Sequence, residues 1–285
     1  MPLLADDNRQ LKELAIDIRI SILETLNQLG FGHYGGSLSI VETLAVLYGN
    51  IMPMTPEIFA QKDRDYFVLS KGHAGPALYA TLYLKGFFDK DFLHSLNSNG
   101  TRLPSHPDRN LTPGVDMTTG SLGQGISVAT GIAYGQLIEG SSHHTYAIVG
   151  DGELNEGQCW EAFQFAAHKK LKNLIVFIDD NKKQLDGTTQ KICATQDFVA
   201  KMQAFGFEAS RVKGDDIQAI YDAILTAQTS HSDQPKAIVL DTIKGQGIPF
   251  LEKMDANHHL RLDDTLRRQL EDAIRELKTG KEDLT

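Results

Sequence analysis

Two hydrophobic periods alternate along this chain. Leu11, Leu14, Ile18, Ile22, Leu26 and Leu29 recur at spacings of three and four, which predicts an amphipathic helix over residues 6–29. Short apolar runs of strand length follow at 65–69, 145–149, 173–178, 208–212 and 237–241. Helical patterns separate them, near 76–85, beyond 118–125, around Trp160, Phe163 and Ala167, and over 196–205 and 217–228, and another closes the chain at 263–277. Strands alternating with helices predict an α/β fold, a mostly parallel sheet with helices on both faces. Ser39 followed by Glu42 reads as a capping box for a helix reaching about Tyr48. Residues 97–113 are polar and rich in turn formers, so a long surface loop is expected there. No repeat or composition break divides the chain. It reads as one domain over 1–285 with helical excursions before and after the first strand.

The chemistry concentrates where strands end. The run 145–149 leads into Gly150-Asp151-Gly152-Glu153-Leu154-Asn155-Glu156-Gly157, and 173–178 leads into Asp179-Asp180-Asn181. Ligands of open parallel sheets bind beyond the carboxyl ends of the strands. His73, Asp151, Asn181 and the loop Lys244-Gly245-Gln246-Gly247 are therefore expected on one rim. A carboxylate between two glycines suits metal-bound phosphate, because the backbone can approach and the next helix presents its N–H groups. Asp151 and Asn181, 30 residues apart, would face one ion from neighbouring loops. The plainer alternative makes Asp151 a helix cap and Asn181 a turn residue. A calcium loop beginning at Asp151 fails, since Glu156 stands where the turn glycine belongs and Ala162 where the bidentate glutamate belongs.

Composition narrows the classes. The chain has 285 residues, 41% hydrophobic and 23% charged, which is ordinary for a globular protein. It holds no apolar run of about 18 residues, so no membrane span is expected. Asp6, Asp7 and Arg9 interrupt the start, which does not resemble a secretory signal. Two cysteines, Cys159 and Cys193, are too few for a disulfide framework and fit a reducing cytoplasm. A formal charge of −9 argues against non-specific nucleic-acid binding. It leaves room for an anionic cofactor held through Mg²⁺. No G-x-x-x-x-G-K-[ST] occurs, which excludes a P-loop.

Gly150-Asp151-Gly152, then 28 residues, then Asn181 resembles the thiamine diphosphate motif of the transketolase-like enzymes. Four more segments are similar to transketolase active-site segments: Gly32-His33-Tyr34-Gly35-Gly36-Ser37-Leu38-Ser39, Ser70-Lys71-Gly72-His73-Ala74, Ser105-His106-Pro107, and Thr119-Gly120-Ser121-Leu122-Gly123-Gln124-Gly125. The resemblance implies a thiamine diphosphate-binding fold of the diphosphate type. It implies Mg²⁺, or Ca²⁺ or Mn²⁺ in its place, on Asp151, Asn181 and the Lys183 carbonyl. It implies cofactor contacts from His73, Gly120, Ser121, Leu122, Gly150, Gly152, Glu156, Asn181 and His258, and sugar contacts from His33, His106 and His258. Glu156 resembles an interface glutamate that communicates with a partner. The family often has His-Gly where this chain has His258-His259, so either histidine is a candidate.

The resemblance covers only the diphosphate-binding portion of a transketolase. The pyrimidine-binding and C-terminal domains lie outside it, along with the glutamate that assists the cofactor and most arginines that grip a sugar phosphate. It therefore implies the N-terminal subunit of a split transketolase, moving a two-carbon ketol unit between sugar phosphates, with pentose phosphates as the default. Such a chain is expected to be inactive alone and to form a heterotetramer of two plus two with a C-terminal subunit. The rival readings are the α subunit of a 2-oxo acid dehydrogenase and a non-catalytic binding protein of the same fold. Cys159, Cys193 and Trp160 read as packing residues.

Overall fold

The computed structural model describes residues 3–282. Its centre is a five-stranded sheet of β1 (Tyr66–Leu69), β2 (Thr145–Gly150), β3 (Leu174–Asp180), β4 (Glu208–Lys213) and β5 (Lys236–Asp241). The order is β1-β2-β3-β5-β4 and every neighbouring pair is parallel. The principal helices are α1 (Ala5–Leu29), α2 (Val41–Val46), α3 (Gly75–Leu84), α4 (Gln124–Glu139), α5 (Gly157–His168), α6 (Phe198–Ala204), α7 (Ile217–Thr229) and α8 (Asp264–Glu282).

Side chains of a strand alternate between its two faces, and here both faces are covered, which is why the central strands read as unbroken apolar runs. Along β3, Ile175 and Phe177 join the core formed with α1, α2, α3, α7 and α8. Leu174, Val176 and Ile178 join the second core, beneath α4, α5 and α6. The edge strand β4 departs from this and is largely exposed, with Glu208, Arg211 and Lys213 along it. Charge on an edge discourages pairing with another chain.

The capping box is not formed. Ile40 holds the N-cap position of α2, with no side-chain cap. The Ser39 hydroxyl donates instead to Asp179 Oδ2 at 2.8 Å, and Glu42 receives the Arg19 guanidinium at 2.6 Å. Both side chains take a charged partner, whose hydrogen bond is roughly twice as strong as a neutral cap. The helix beyond α2 also ends in a π turn, Leu47–Ile51. On α4, only Gly125 explains the small residues by backbone approach, since a Cβ there would lie 2.5 Å from Ser70 Cα. Gly131 and Gly135 face open space within this chain.

Two short pairings carry no periodicity and were not legible. Phe31–Gly32 pairs antiparallel with Leu260–Arg261, tying the segment after α1 to the segment before α8. Lys183–Gln184 pairs with Gly187–Thr188 directly after the Asn181 loop. Among the described residues no helix is long and apolar enough to cross a membrane.

Candidate functional site

The strands β2 and β3 are register partners, with Gly150 opposite Asp179, so their end loops emerge side by side. The Asp151 carboxylate accepts the Gly152 N–H at 2.8 Å on Oδ1 and the Lys182 N–H at 2.7 Å on Oδ2. The Asn181 amide is held at both ends. Its Nδ2 donates to Asp179 Oδ2 at 2.7 Å, and its Oδ1 accepts the Lys183 N–H at 3.1 Å. Lys182 adopts φ 68°, a left-handed conformation that is unusual for a side-chain-bearing residue, and it turns the chain between Asn181 and Lys183. The loops enclose a cleft of about 270 Å³, lined among others by Lys71, His73, Leu122, Asp151, Asn181, Lys244 and His258.

A buried polar layer supports this floor. Asp179 is fully buried and accepts from Lys71 Nζ at 2.6 Å, from Ser39, from Thr242 and from Asn181. Burial alone would raise its pKa, but Lys71 outweighs that, helped by Thr242 and Asn181, and holds it below the ordinary carboxylate value. Lys71 also donates to the Gly36 carbonyl at 2.6 Å, which fastens the His33 loop to the sheet. Glu153 joins three loops, accepting from Ser70 Oγ at 2.6 Å, Gly123 N–H at 2.9 Å and Gly150 N–H at 3.0 Å.

Close backbone approach explains one glycine of the site. A Cβ on Gly72 would lie 2.7 Å from the Gly120 nitrogen and 2.9 Å from its Cα, and backbone atoms cannot move aside as a side-chain tip can. Gly72→Ala is expected to cost about 1–3 kcal/mol, the scale of overpacking. Chemical denaturation measures the loss, and an unchanged midpoint would show that the two loops separate freely.

The histidines form a row. His73 and His258 have ring centroids 4.7 Å apart, His258 and His33 5.3 Å, and His33 and His259 4.8 Å, with His106 5.8 Å to the side of His33. The His106 ring also packs on Gly120. Burial first, then mutual repulsion with His259, His106 and Lys244, lowers His33 to about 4. Burial and then Lys244 lower His258 to about 3. His73 lies well below its ordinary value through burial and then Lys71, and burial lowers His106. Near neutral pH these imidazoles are uncharged, able to accept a proton at one nitrogen and donate at the other.

Burial dominates the electrostatics of the floor. Asp151 is 2% exposed, and burial followed by repulsion from Asp179 pushes its pKa up to about 7. Lys244 Nζ lies 3.0 Å from the Lys183 carbonyl and 2.9 Å from His258 Nδ1, and burial brings its pKa down to about 8 against the pull of Asp151. A carboxylate, an amide oxygen and a backbone carbonyl make an all-oxygen donor set, the chemistry that suits Mg²⁺ or Ca²⁺. Among the described residues no three His, Cys, Asp or Glu side chains converge as a metal site, and this set has only one such residue. A larger groove of about 600 Å³ lies beside α1 and α7. Its most buried charges, Arg19 and Glu42, are spent on each other, so it offers no comparable chemistry.

Of the residues singled out in the sequence, the structure brings His73, Leu122, Gly150, Asp151, Gly152, Glu156, Asn181, Lys183 and His258 to one cleft. His33 and His106 stand against its histidine wall. Ser121 and Glu156 are exposed, and Glu156 occupies the N-cap position of α5 without a side-chain bond. His258 lies inside the cleft, whereas His259 is exposed beside His33. Sequence reasoning missed Lys71, Asp179, Glu153 and Lys244. Lys71 and Lys244 stood within the segments quoted for other residues, and Asp179 lay hidden as the end of an apolar strand.

Rim, parallel sheet and a carboxylate–amide pair at adjoining strand ends define a cofactor-binding α/β domain for a phosphorylated ligand. Residues 11–274 match the family model described as "Transketolase, thiamine diphosphate binding domain", and the chain belongs to that family. It is 45% identical over 259 residues to a 6-deoxy-6-sulfo-D-fructose transketolase subunit of Clostridium sp. (strain MSTE9), covering 91% of this chain and 94% of the relative. It is 38% identical to one subunit of the apulose-4-phosphate transketolase of Actinobacillus succinogenes, covering 90% of this chain and 92% of that one. A solved transketolase from Leishmania mexicana superposes with TM-score 0.80 at 29% identity, over 96% of this chain and 46% of that one. The chain thus spans nearly the whole of the subunit-sized relatives and about half of the solved transketolases. It corresponds to the N-terminal, thiamine diphosphate-binding subunit of a split transketolase, part of a ketol-transferring enzyme. These relatives favour neither the 2-oxo acid dehydrogenase reading nor the non-catalytic one.

Proposed function

We propose that Asp151, Asn181 and the Lys183 carbonyl hold Mg²⁺, which ties the diphosphate of thiamine diphosphate to the cleft floor, and that the histidine row receives the sugar. The observation that carries this reading is that Asp151, Asn181 and Lys183 line one cleft together with His73 and His258, from whose rings the His33 row continues. Ca²⁺ or Mn²⁺ would satisfy the same oxygens. Thiamine diphosphate, when bound, supplies the electron-sink chemistry of ketol transfer. The chain's own residues do the rest. Asp179 and the Lys183 N–H aim the Asn181 oxygen, and Gly150 and Gly152 line the cleft in which the diphosphate would lie. His73, Gly120, Ser121 and Leu122 line the cofactor's path, and Glu156 faces the partner. His33, His106 and His258, uncharged near neutral pH, receive and return hydroxyl protons of the sugar.

The partner is a C-terminal subunit carrying the pyrimidine-binding and C-terminal domains, in a cytoplasmic heterotetramer of two plus two. Leu122 and Leu185, large, exposed and lining the cleft, support an unfinished surface there. The relatives' names specify a sulfonated fructose and a sugar phosphate. We take the substrate here to be a ketose with a terminal acidic group, pentose phosphates included.

The purified chain alone is expected to show no ketol transfer, and equimolar C-terminal subunit, with Mg²⁺ and thiamine diphosphate, to restore it. A coupled aldose-release assay and native mass spectrometry follow both. Full turnover by the chain alone would overturn the split-subunit reading. Decarboxylation of a 2-oxo acid by the complex would favour the dehydrogenase alternative.

A further inference from the structure

The loop after Asn181 turns on Lys182, and the N–H, carbonyl and amine of that residue are all engaged. Its N–H donates to Asp151 Oδ2 at 2.7 Å, and its carbonyl accepts the Thr189 N–H at 3.0 Å. Its amine folds back over the strand ends. It lies 2.6 Å from the Asp180 carbonyl, 2.8 Å from the Asp180 carboxylate and 2.8 Å from Asp241 Oδ1. Arg211 on β4 holds the same Asp180 carboxylate at 2.7 Å. One side chain thus spans the ends of β3 and β5 and, through Asp180, reaches the edge strand. These bonds keep Lys182 at φ 68°, a conformation that glycine adopts freely and a lysine disfavours.

Lys183 is drawn the other way. Its amine donates to the Met254 carbonyl at 2.7 Å, just beyond the short helix Pro249–Lys253. Its own carbonyl accepts from Lys244, a residue of the cleft lining, at 3.0 Å, so that oxygen is turned toward the cleft. Its N–H holds the Asn181 oxygen at 3.1 Å. The loop that carries the amide oxygen and the carbonyl is therefore tied down on two opposite sides. Isolated exposed ion pairs contribute little. Asp180, however, is only 6% exposed and serves two cations at once, which makes this a network anchored in the sheet.

A fixed donor set has a chemical consequence. Mg²⁺ demands near-ideal octahedral geometry at short distances, whereas Ca²⁺ accepts a larger and looser shell. We propose that the amines of Lys182 and Lys183 are positioning groups, a cross-brace that fixes the Asn181 and Lys183 oxygens and makes the site prefer Mg²⁺ to Ca²⁺. This rests on the metal reading given under Proposed function and adds to it a determinant of which ion is taken.

The test uses the complex of the chain with its C-terminal subunit, titrated with Mg²⁺ or Ca²⁺ at fixed thiamine diphosphate, with cofactor uptake followed by calorimetry. Lys182→Ala is expected to raise the half-saturating Mg²⁺ concentration about tenfold, the lower end of the effect of losing groups that orient a metal ligand, and that of Ca²⁺ much less. Lys183→Met keeps the backbone carbonyl and should shift the two ions in the same unequal way. Lys182→Arg should recover part of the Mg²⁺ affinity. Lys182→Gly separates the brace from backbone strain, because glycine fits the turn but lacks the amine. It should be impaired like Lys182→Ala, and normal Mg²⁺ uptake by it would overturn the brace. Equal weakening of both ions, or of neither, would do the same. The melting temperature of each variant without cofactor should stay within about 4 °C of the unmodified chain, the scale of a surface pair. A far larger fall in both Lys182→Ala and Lys183→Met would make the amines structural and end their positioning role. Asp151→Ala tests the underlying reading in the same assay. If it leaves Mg²⁺-dependent uptake unchanged, the metal reading fails; if it abolishes uptake while the lysine variants bind both ions normally, only the brace fails.

Discussion

Asp151→Ala, in the chain assembled with its partner subunit, is expected to abolish Mg²⁺-dependent uptake of thiamine diphosphate and with it ketol transfer. Removing groups that only orient a metal ligand weakens metal binding by about 10–100-fold, so losing the carboxylate itself should exceed that range. The fold should survive. Asp151 is buried and its charge is disfavoured there, being pressed by Asp179 and without a cation in direct contact. Deleting it removes a repulsion but also the acceptor of the Gly152 and Lys182 N–H groups, so the variant without cofactor should lie within about 1–3 kcal/mol of the unmodified chain in stability. Isothermal titration with Mg²⁺ and thiamine diphosphate reads the first effect and differential scanning calorimetry the second. Unchanged Mg²⁺-dependent binding would remove Asp151 from the metal site, and a collapse of the fold would make it a structural cap.

Lys71→Met is expected to lose stability as well as cofactor binding. Lys71 is the cation that keeps Asp179 ionised at the centre of the molecule. Removing one partner of a buried pair costs about 3–5 kcal/mol, because the other charge is left uncompensated. In a chain of this size that corresponds to a fall in melting temperature on the order of 10 °C. A double variant, Lys71→Met with Asp179→Leu, should recover much of the stability, since replacing the whole pair with apolar groups is often neutral. It should not recover cofactor binding. Asn181 would have lost the carboxylate that orients its amide, and the His33 loop would have lost the bond from Lys71 to Gly36. Recovery of both properties would show that the pair serves stability alone.

These two residues mark how far the sequence could be read. Asp151 stood out because a carboxylate between glycines at a strand end is locally improbable and chemically suggestive. Asp179 did not, because it terminates the apolar run of β3 and looks like the first residue of a loop. Its importance comes from Ser39, Lys71, Thr242 and Asn181 meeting it from four separate segments. The capping box from Ser39 to Glu42 failed for the same reason. Its local logic was sound, but Asp179 and Arg19, remote in sequence, offered both side chains stronger partners.

The order of strands and helices, the two-sided burial of the sheet and the rim on which loops gather were determined by the amino-acid sequence alone, because they follow from periodicity and from glycine and acidic residues at strand ends. Tertiary structure decided which distant groups touch. It separated His258, inside the cleft, from His259, outside it, through a two-residue ladder too short to leave a pattern. It also brought Lys244 against the Lys183 carbonyl and joined three loops on Glu153. Hydrophobic patterning reports only whether a position faces the interior. The hydrogen bonds and charges that tune the site act over a few ångströms between residues far apart in the chain, and folding alone sets those distances.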